Sequence, residues 1–369
     1  GCSTISNSFD AINPFASSAP KMAALKPVEN TVGARIAWSA GIGKSGDFSF
    51  APAVVGNTVY TASRDGAVNK LEDGKKIWSI KAGQPLSAGV GANASVVVVG
   101  TPKGEALAFS AEDGKPLWQA RVSSEVLAAP AVSERGVAVK SGDNQVFLFD
   151  PTDGSRKWVY QRATPPLSIR SAGAPVFADQ YLFIGFPGGK LVALALQNGA
   201  PVWEGAVALP KGATELDRVA DVVAPPAVDG RQICAVAFQG RVACFDMGQG
   251  GAMIWSRELS SAAGLALDGR YVFVTDEKGA VHALDRLTGS SLWKQDKLLN
   301  RRVSGPAVHR GAVVVADAEG IVHFLSREDG SFIGRVKTDG SPVRVPVQLL
   351  GSSFLVQTSG GDLSVIETQ

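Results

Sequence analysis

The sequence has few of the residues on which most catalytic and metal sites depend. Among its 369 residues are 3 Cys and 3 His, and neither type forms a cluster along the chain. Lys and Arg number 36 against 34 Asp and Glu, and this net charge of +2 lacks the basic excess of a nucleic-acid-binding protein. No apolar run approaches the roughly 18 residues that cross a bilayer as a helix. Phosphate-binding, dinucleotide-binding and nucleophile-elbow motifs are also missing. These absences disfavour an enzyme and a nucleic-acid binder.

What the chain does contain is a Trp that recurs at regular intervals behind a glycine turn. Six Gly and Trp pairs are four positions apart: Gly74/Trp78, Gly114/Trp118, Gly154/Trp158, Gly199/Trp203, Gly251/Trp255 and Gly289/Trp293. Trp38, without the Gly, and Gly334, in place of the Trp, mark two further repeats. From Trp38 to Gly334, successive positions of this residue are 40, 40, 40, 45, 52, 38 and 41 residues apart. A period of about 40 residues predicts a repeat architecture.

Each repeat has the pattern of four short antiparallel strands. Alternating apolar runs, such as residues 271–275 and 280–284, are separated by turns that contain Gly. Four strands per repeat, arranged radially, predict an all-β, eight-bladed β-propeller. The last repeat, residues 344–369, has only three strands, and residues 35–40 supply the fourth. We therefore expect one propeller domain over residues 35–369, closed when its N-terminal strand completes the C-terminal blade.

The Gly and the Trp have separate roles in this fold. The Gly permits a left-handed turn, and the Trp, on the outer strand, is expected to fill the groove between neighbouring blades. The absence of a Trp at Gly334 predicts a thinner contact in blade seven. The motif that is most conspicuous in the sequence is thus predicted to be structural.

The first residues resemble the end of a bacterial lipoprotein signal. In Gly1-Cys2-Ser3 a small residue precedes a Cys, which predicts lipidation of Cys2; a free Cys in a mobile tail is the alternative. Residues 3–30 are rich in Ser, Ala, Asn and Pro, which is the composition of a flexible tether. We therefore assign residues 1–34 to a lipidated N-terminus and tether.

Cys234 and Cys244 flank a turn that ends at Gly240. A three-residue loop there would place the two side chains opposite each other on a hairpin. A cross-strand disulfide and a pair of buried free thiols are both compatible with this spacing.

Residues 283–293 resemble the repeats of quinoprotein alcohol dehydrogenases, which are also eight-bladed propellers. That resemblance makes a periplasmic quinoprotein dehydrogenase the alternative function. It covers scaffold positions only, because no adjacent cysteines and no calcium-binding group of acidic residues stand out from the repeat pattern. No cofactor or metal is therefore expected. A propeller that binds a sugar or a peptide in its central channel is a third alternative.

The repeat is stretched in two consecutive places. The Pro that opens the next repeat follows its Trp by 17 residues after Trp158 and by 23 after Trp203, against 9 to 14 elsewhere. Insertions in repeat proteins lie on one face, often the binding face. Aliphatic side chains beside Arg and carboxylates favour a protein-binding patch over a merely solvated surface. The candidate residues are Leu167, Ile169, Arg170, Glu215, Asp217, Arg218 and Asp221.

At these loops the chain resembles the BamB family, the propeller lipoproteins of the bacterial outer-membrane β-barrel assembly machinery. The resemblance covers the whole propeller, the lipoprotein Cys, the LSIR loop (residues 167–170) and the TELDRVADV loop (residues 214–222). It implies contact of Leu167, Ile169, Arg170 and Asp221 with the periplasmic POTRA domains of BamA. Val223 stands where family members often have a second Asp, which removes one polar contact.

The function implied is that of a non-catalytic scaffold, lipid-anchored in the outer membrane and facing the periplasm. Such a scaffold would assist the assembly and insertion of β-barrel proteins. Unfolded outer-membrane protein clients are further expected partners, paired to exposed strand edges.

Overall fold

A computed structural model of the protein describes residues 20–369. Within this range the chain forms short β-strands throughout, with a single turn of 3-10 helix at Met247–Gln249. No helix in the described range is long and apolar enough to cross a membrane.

The strands assemble into eight four-stranded antiparallel sheets, the blades of a propeller. The first strand in the chain, β1 (Arg35–Gly41), belongs to the last blade. Blade one comprises β2 (Ala53–Val55), β3 (Thr58–Ala62), β4 (Ala67–Glu72) and β5 (Lys75–Lys81), and blade two comprises β6 (Ala88–Ala92), β7 (Val96–Gly100), β8 (Glu105–Ser110) and β9 (Pro116–Arg121). Blade three comprises β10 (Ala131–Ser133), β11 (Gly136–Lys140), β12 (Val146–Phe149) and β13 (Arg156–Tyr160), and blade four comprises β14 (Val176–Ala178), β15 (Tyr181–Phe186), β16 (Lys190–Ala195) and β17 (Pro201–Ala206).

The second half of the ring follows the same order. Blade five comprises β18 (Ala227–Asp229), β19 (Gln232–Val236), β20 (Arg241–Asp246) and β21 (Ala252–Glu258), and blade six comprises β22 (Leu265–Asp268), β23 (Tyr271–Thr275), β24 (Val281–Asp285) and β25 (Ser291–Gln295). Blade seven comprises β26 (Ala307–His309), β27 (Ala312–Ala316), β28 (Ile321–Ser326) and β29 (Phe332–Lys337). Blade eight comprises β30 (Gln348–Leu350), β31 (Ser353–Gln357) and β32 (Asp362–Glu367), with β1 as its fourth strand.

The closure predicted from the sequence is confirmed. β1 pairs antiparallel with β32, from Arg35 opposite Glu367 to Gly41 opposite Asp362. The N-terminal strand therefore completes the C-terminal blade, and the eight-bladed, all-β fold is the predicted one.

Antiparallel order gives the ring two distinct faces. Connections from the fourth strand of one blade to the first strand of the next emerge at the same end as the turns between second and third strands. We call this end the loop face. The opposite end, which holds the Gly turns before each outer strand, is the turn face.

The buried apolar residues form clusters that each draw on two adjacent blades. On the turn face, each Trp ring lies against the Gly of the following blade's turn. At Gly154, which has a φ of +72°, a β carbon would lie 2.6 Å from the ring of Trp118. The other pairs are Trp38 with Gly74, Trp78 with Gly114, Trp158 with Gly199, Trp203 with Gly251, Trp255 with Gly289 and Trp293 with Gly330.

The indole N–H groups add a polar contact between blades. Trp118 Nε1 donates to the carbonyl of Pro151 at 2.9 Å, and Trp158 Nε1 donates to that of Leu196 at 2.8 Å. Four more Trp residues make the equivalent bond: Trp78, Trp203, Trp255 and Trp293. The predicted place of the Trp, between blades, is thus confirmed.

The thinner contact predicted at Gly334 is wrong, because the N-terminal segment occupies that place. A β carbon on Gly334 would lie 3.0 Å from both Asn30 Oδ1 and Val32 Cγ2. The amide of Thr31 donates to the carbonyl of Ile333 at 2.9 Å. Val32 packs against the buried cluster between blades seven and eight. The segment fills the volume that a Trp fills elsewhere.

Residues 20–34 therefore lie against the propeller and are not a free tether. The amide of Ala23 donates to the carbonyl of Leu299 at 2.9 Å. Arg301 donates to the carbonyl of Ala23 at 3.0 Å, and Arg335 donates to that of Lys26 at 2.7 Å. This corrects the tether assignment for residues 20–34. Cys2 lies outside the described residues.

Cys234 and Cys244 stand directly opposite each other on β19 and β20, as the turn length predicts. Their sulfur atoms are bonded in the structure, with a Cα–Cα distance of 4.1 Å, and both residues are fully buried.

Replacing Gly154 with Ala should destabilise the protein by about 2–4 kcal/mol, because the new methyl group meets the Trp118 ring in a left-handed turn. The matched control is Gly56→Ala. Gly56 also has a positive φ, +61°, but has no neighbour within 4 Å of the added carbon, so its cost should be only about 1 kcal/mol. Urea unfolding of both variants measures the difference; equal losses would show that the Trp contact is unimportant.

Oxidation of Cys234 and Cys244 in the protein remains a prediction. Alkylation of the unfolded protein, followed by mass measurement, should add two labels more when a reductant is present than when it is absent. Two labels on these residues without reductant would show that they are free thiols.

Candidate functional site

The two long connections predicted from the repeat spacing lie side by side on the loop face. Loop one, residues 161–175, joins β13 to β14, and loop two, residues 207–226, joins β17 to β18. The hydroxyl of Ser171 donates to the carbonyl of Val223 at 3.3 Å. A β carbon on Gly173 would lie 2.7 Å from that same carbonyl oxygen. The loops therefore form one continuous surface.

Asp221 joins the two loops to each other and to blade four. One carboxylate oxygen accepts the amide of Ile169, in loop one, at 2.7 Å. The other accepts the amide of Gly188, in the turn between β15 and β16, at 3.0 Å. Hydrogen bonds to a charged acceptor are stronger than neutral ones. With 1% of its surface exposed, Asp221 braces loop one from below.

This geometry corrects the direct partner contact expected of Asp221. Its carboxylate is buried and accepts the backbone amide of Ile169. The loop-one side chains differ: Leu167 is 43% exposed, Ile169 is half-buried, and the Arg170 side chain is 73% exposed. Of these three side chains, those of Leu167 and Arg170 are the ones that loop one presents to solvent.

Arg170 reaches across the loop face to a residue that the sequence did not single out. Its guanidinium forms an ion pair with Glu125, in the connection between blades two and three. Hydrogen bonding from Ser124, together with Arg170, lowers the pKa of the Glu125 carboxyl. The pair borders a cavity of about 430 Å³ that Phe48 and Leu127 also line. Glu125 lies in a connection of ordinary length, so the insertion signal could not reveal it.

The tip of loop two is a compact turn of its own. Thr214 and Asp217 exchange two hydrogen bonds, each from the amide of one to the side chain of the other, at 3.1 Å. Glu215 and Arg218 form an ion pair at 3.6 Å, and Leu216 between them is 67% exposed. Among the hydrogen bonds and ion pairs of residues 20–369, none joins this tip to Leu167 or Arg170. The predicted residues thus form two neighbouring patches.

A second residue missed by the sequence lies beneath the loops. Lys140, at the end of β11, is 3% exposed, and its ammonium group donates to the carbonyl of Gly185 at 2.8 Å. Burial lowers the pKa of Lys140 to about 8, and the negative charge of Asp221 opposes that shift. In the sequence, the feature that could have indicated this residue is a Lys directly after the apolar run 136–139.

Two of the three histidines, His282 and His323, are strand residues bonded to the turn before their strand, as their positions in the repeat predict. His282 on β24 and His323 on β28 each lie 2.9 Å from an Asp in the preceding turn, Asp276 and Asp317. Residues 20–369 contain no group of three or more His, Cys, Asp and Glu side chains placed to hold a metal ion.

The fold and the site together define a propeller of quinoprotein-like repeats whose distinctive feature is a pair of braced loops on one face. The family model described as outer membrane protein assembly factor BamB matches residues 64–295 and 277–369. The chain belongs to that family.

Two curated relatives carry the same name. The chain is 47% identical to outer membrane protein assembly factor BamB of Pseudomonas aeruginosa, over 88% of this chain and 87% of the relative. It is 40% identical to that of Bordetella pertussis, over 99% and 93%. The crystal structure of BamB from Moraxella catarrhalis superposes with a TM-score of 0.84 at 29% identity, covering 90% of this chain and 99% of that one.

The likeness to quinoprotein enzymes concerns the fold alone. Quinohemoprotein alcohol dehydrogenase from Comamonas testosteroni superposes with a TM-score of 0.72, but at 13% identity, over 91% of this chain and 77% of the enzyme. This similarity accounts for the resemblance of residues 283–293 and supplies no site residue.

Raising the pH from 8 to 10 should stabilise the protein relative to its Lys140→Met variant. The pKa of Lys140 is about 8 in the folded state against an ordinary value of 10.5. Between these values the unfolded chain keeps a proton that the folded protein has lost, so stability rises with pH. The relative gain should be on the order of 3 kcal/mol at most. Urea unfolding of both proteins across this range measures it, and a difference that does not vary with pH would contradict it.

Proposed function

We propose that the protein is a non-catalytic assembly factor for outer-membrane proteins, and that its paired loops bind the periplasmic POTRA domains of BamA. Membership of the family described as outer membrane protein assembly factor BamB supports the first part. The second part rests chiefly on one observation: an exposed leucine and an exposed arginine stand on a loop that a buried carboxylate braces.

A braced loop suits a binding role because its backbone is already ordered in the free protein, so binding loses little conformational entropy there. Association loses the free energy needed to immobilise side chains and loops at the interface. The hydrogen bond from Ile169 to Asp221 fixes the backbone of loop one in the free protein. Leu167 can then lose its hydration against an apolar surface of the partner without reorganising the loop.

Arg170 provides the polar part of the proposed contact. A guanidinium can bind a carboxylate through two parallel hydrogen bonds, which gives orientation as well as affinity. The ion pair with Glu125 already orients this side chain. A carboxylate of the partner would share the guanidinium with Glu125 or displace it. Because Arg170 is largely exposed, the exchange requires little desolvation.

The tip of loop two gives the proposed surface a second patch. Leu216 is its exposed apolar residue, flanked by the ion pair of Glu215 and Arg218. Asp217 holds the turn through Thr214 and is proposed to act on the partner through the shape of the turn.

In this proposal the protein is held on the periplasmic side of the outer membrane by a lipid on Cys2. The Gly1-Cys2-Ser3 sequence supports the anchor, and the printed names of the relatives support the membrane. Unfolded outer-membrane proteins are the proposed clients. Exposed apolar residues on the outer strands, such as Ile77, Leu117 and Val202, offer them strand edges with apolar side chains.

Replacing Leu167 and Arg170 together with Ala should release BamA. Loss of both contacts is expected to weaken binding by about 2 kcal/mol or more, roughly thirtyfold, if they are the centre of the interface. Co-purification of BamA with the intact protein from membranes measures the effect.

The matched control is the double variant Leu117→Ala and Arg121→Ala on blade two. Leu117 is 47% exposed and the Arg121 side chain 79%, close to the values for Leu167 and Arg170. The control should retain BamA. Retention by the loop-one variant as well would refute the proposed site.

A further inference from the structure

We propose that Lys140, wholly buried in blade three, is a positioning residue for the partner site: its ammonium group and the Asp221 carboxylate together hold loop one in the conformation that presents Leu167 and Arg170. The inference rests on the proposed function for its consequence, partner binding. Its structural basis is independent of the identity of the partner.

The first contact runs from blade three to blade four. Lys140 is the last residue of β11, and its ammonium group donates to the carbonyl of Gly185, on β15, at 2.8 Å. The group also lies 5.3 Å from the ring centre of Phe186. Arg162, in loop one, lies 5.3 Å from the same ring. A buried cation thus fixes the end of β15 directly beneath the loops.

The second contact runs from β15 to loop two. A β carbon on Gly185 would lie 2.4 Å from Val222 Cγ1 and 2.7 Å from the Val222 carbonyl oxygen. The amide of Val222 donates to the carbonyl of Phe186 at 3.2 Å. The chain at Asp221 and Val222 therefore lies on the same two residues that Lys140 holds.

The third contact runs from loop two to loop one. Asp221 accepts the amides of Ile169 and Gly188, so its position sets the backbone of the LSIR loop. Any shift of residues 185–188 moves one of its two donors. Lys140 is in this way connected to loop one without touching it.

Electrostatics supply the reason for a lysine at this place. Lys140 and Asp221 are 3% and 1% exposed, and a buried charge without a compensating one is strongly destabilising. Within residues 20–369 the two do not form an ion pair at 4 Å or less; the ammonium binds a carbonyl and the carboxylate binds amides. Each nevertheless lies in the field of the other, which a low-dielectric interior screens weakly. A residue at 140 without the ammonium group would lose the hydrogen bond to the Gly185 carbonyl, so residues 185–188, and through them Asp221 and loop one, would be held less firmly.

The test is Lys140→Met, which keeps most of the apolar stem of the side chain and removes its ammonium group. Hydrogen exchange of the free protein should show the Ile169 amide exchanging about tenfold faster, because residues 185–188, and with them the Asp221 carboxylate that accepts this amide, are no longer held by the Lys140 ammonium. Affinity for purified POTRA domains of BamA should fall by about tenfold. Amides of the blade-three core, such as Val137 and Val139, should exchange at the original rate.

The matched control is Lys157→Met, the same substitution on β13 of the same blade. Lys157 binds the Arg135 carbonyl and Asp150, away from both loops. It should leave exchange in loop one and the affinity unchanged. If Lys140→Met behaves like this control, the proposal is overturned. If it accelerates exchange of the blade-three core as much as that of loop one, Lys140 is merely structural and the proposal is likewise overturned.

A second variant tests the coupling. Asp221→Asn keeps the shape of the side chain and removes its charge, and it should also accelerate exchange in loop one. The double variant should then be no worse than the more severe single one, because the two charges act on the same loop. Additive effects would contradict the coupling. If the Leu167 and Arg170 variant keeps BamA while these exchange effects appear, the proposed function fails and the positioning role of Lys140 stands.

Discussion

The contact of an indole ring with a glycine in the next blade is the constraint on which the rest of this structure depends. An antiparallel four-stranded sheet has two outer edges and two faces, and alone it could bury neither face. Each Trp closes one inter-blade groove, and the Gly it meets can carry no side chain because the ring lies 2.6 Å from where a β carbon would stand at Gly154. Repeated around the ring, this contact fixes the blade spacing. Insertions are then tolerated where the contact is absent, on the loop face.

Because the Trp contacts stabilise only the turn face, the candidate site on the loop face depends on buried charges instead. The turn face is held by apolar packing and indole hydrogen bonds, whereas loop one has few apolar contacts of its own. Asp221 and its two backbone donors substitute for a core beneath it. A buried carboxylate then needs a positive charge nearby, and blade three supplies one in Lys140. Hydrogen bonds of fixed geometry define one conformation more narrowly than apolar packing would. The positions of the exposed residues Leu167 and Arg170 are fixed by these hydrogen bonds.

The fold could be predicted almost completely from the sequence, and the site only in outline. The regular spacing of Gly and Trp determines the number of blades, and the deficit of one strand at the C-terminus determines the closure through residues 35–40. The loops were located by length, which does not depend on side-chain orientation. Loop length does not predict which side chains are buried. Asp221 lies in the same polar stretch as Glu215 and Asp217, yet its side chain faces inward. Glu125 and Lys140 lie in blade three and the connection that precedes it, each 45 residues from its partner Arg170 or Gly185, and the packing of adjacent blades brings them to the loops. Gly334 failed as a predictor because the residue that fills its space lies about 300 positions away.

The N-terminal segment along blade seven also determines how the ring would bear a mechanical load. A pull on the chain ahead of residue 20 first reaches the bond of Lys21 with Asn300 and then those of Ala23 with Leu299 and Arg301. The bonds of Lys26 with Arg335 and of Thr31 with Ile333 follow. Only after these yield does tension reach β1, the strand that closes the ring. The bonds along blade seven are distributed over the height of that blade, so the load is shared before the closing strand is peeled from β32. A lipid on Cys2, as proposed, would place the load on these bonds before it reached the closing strand.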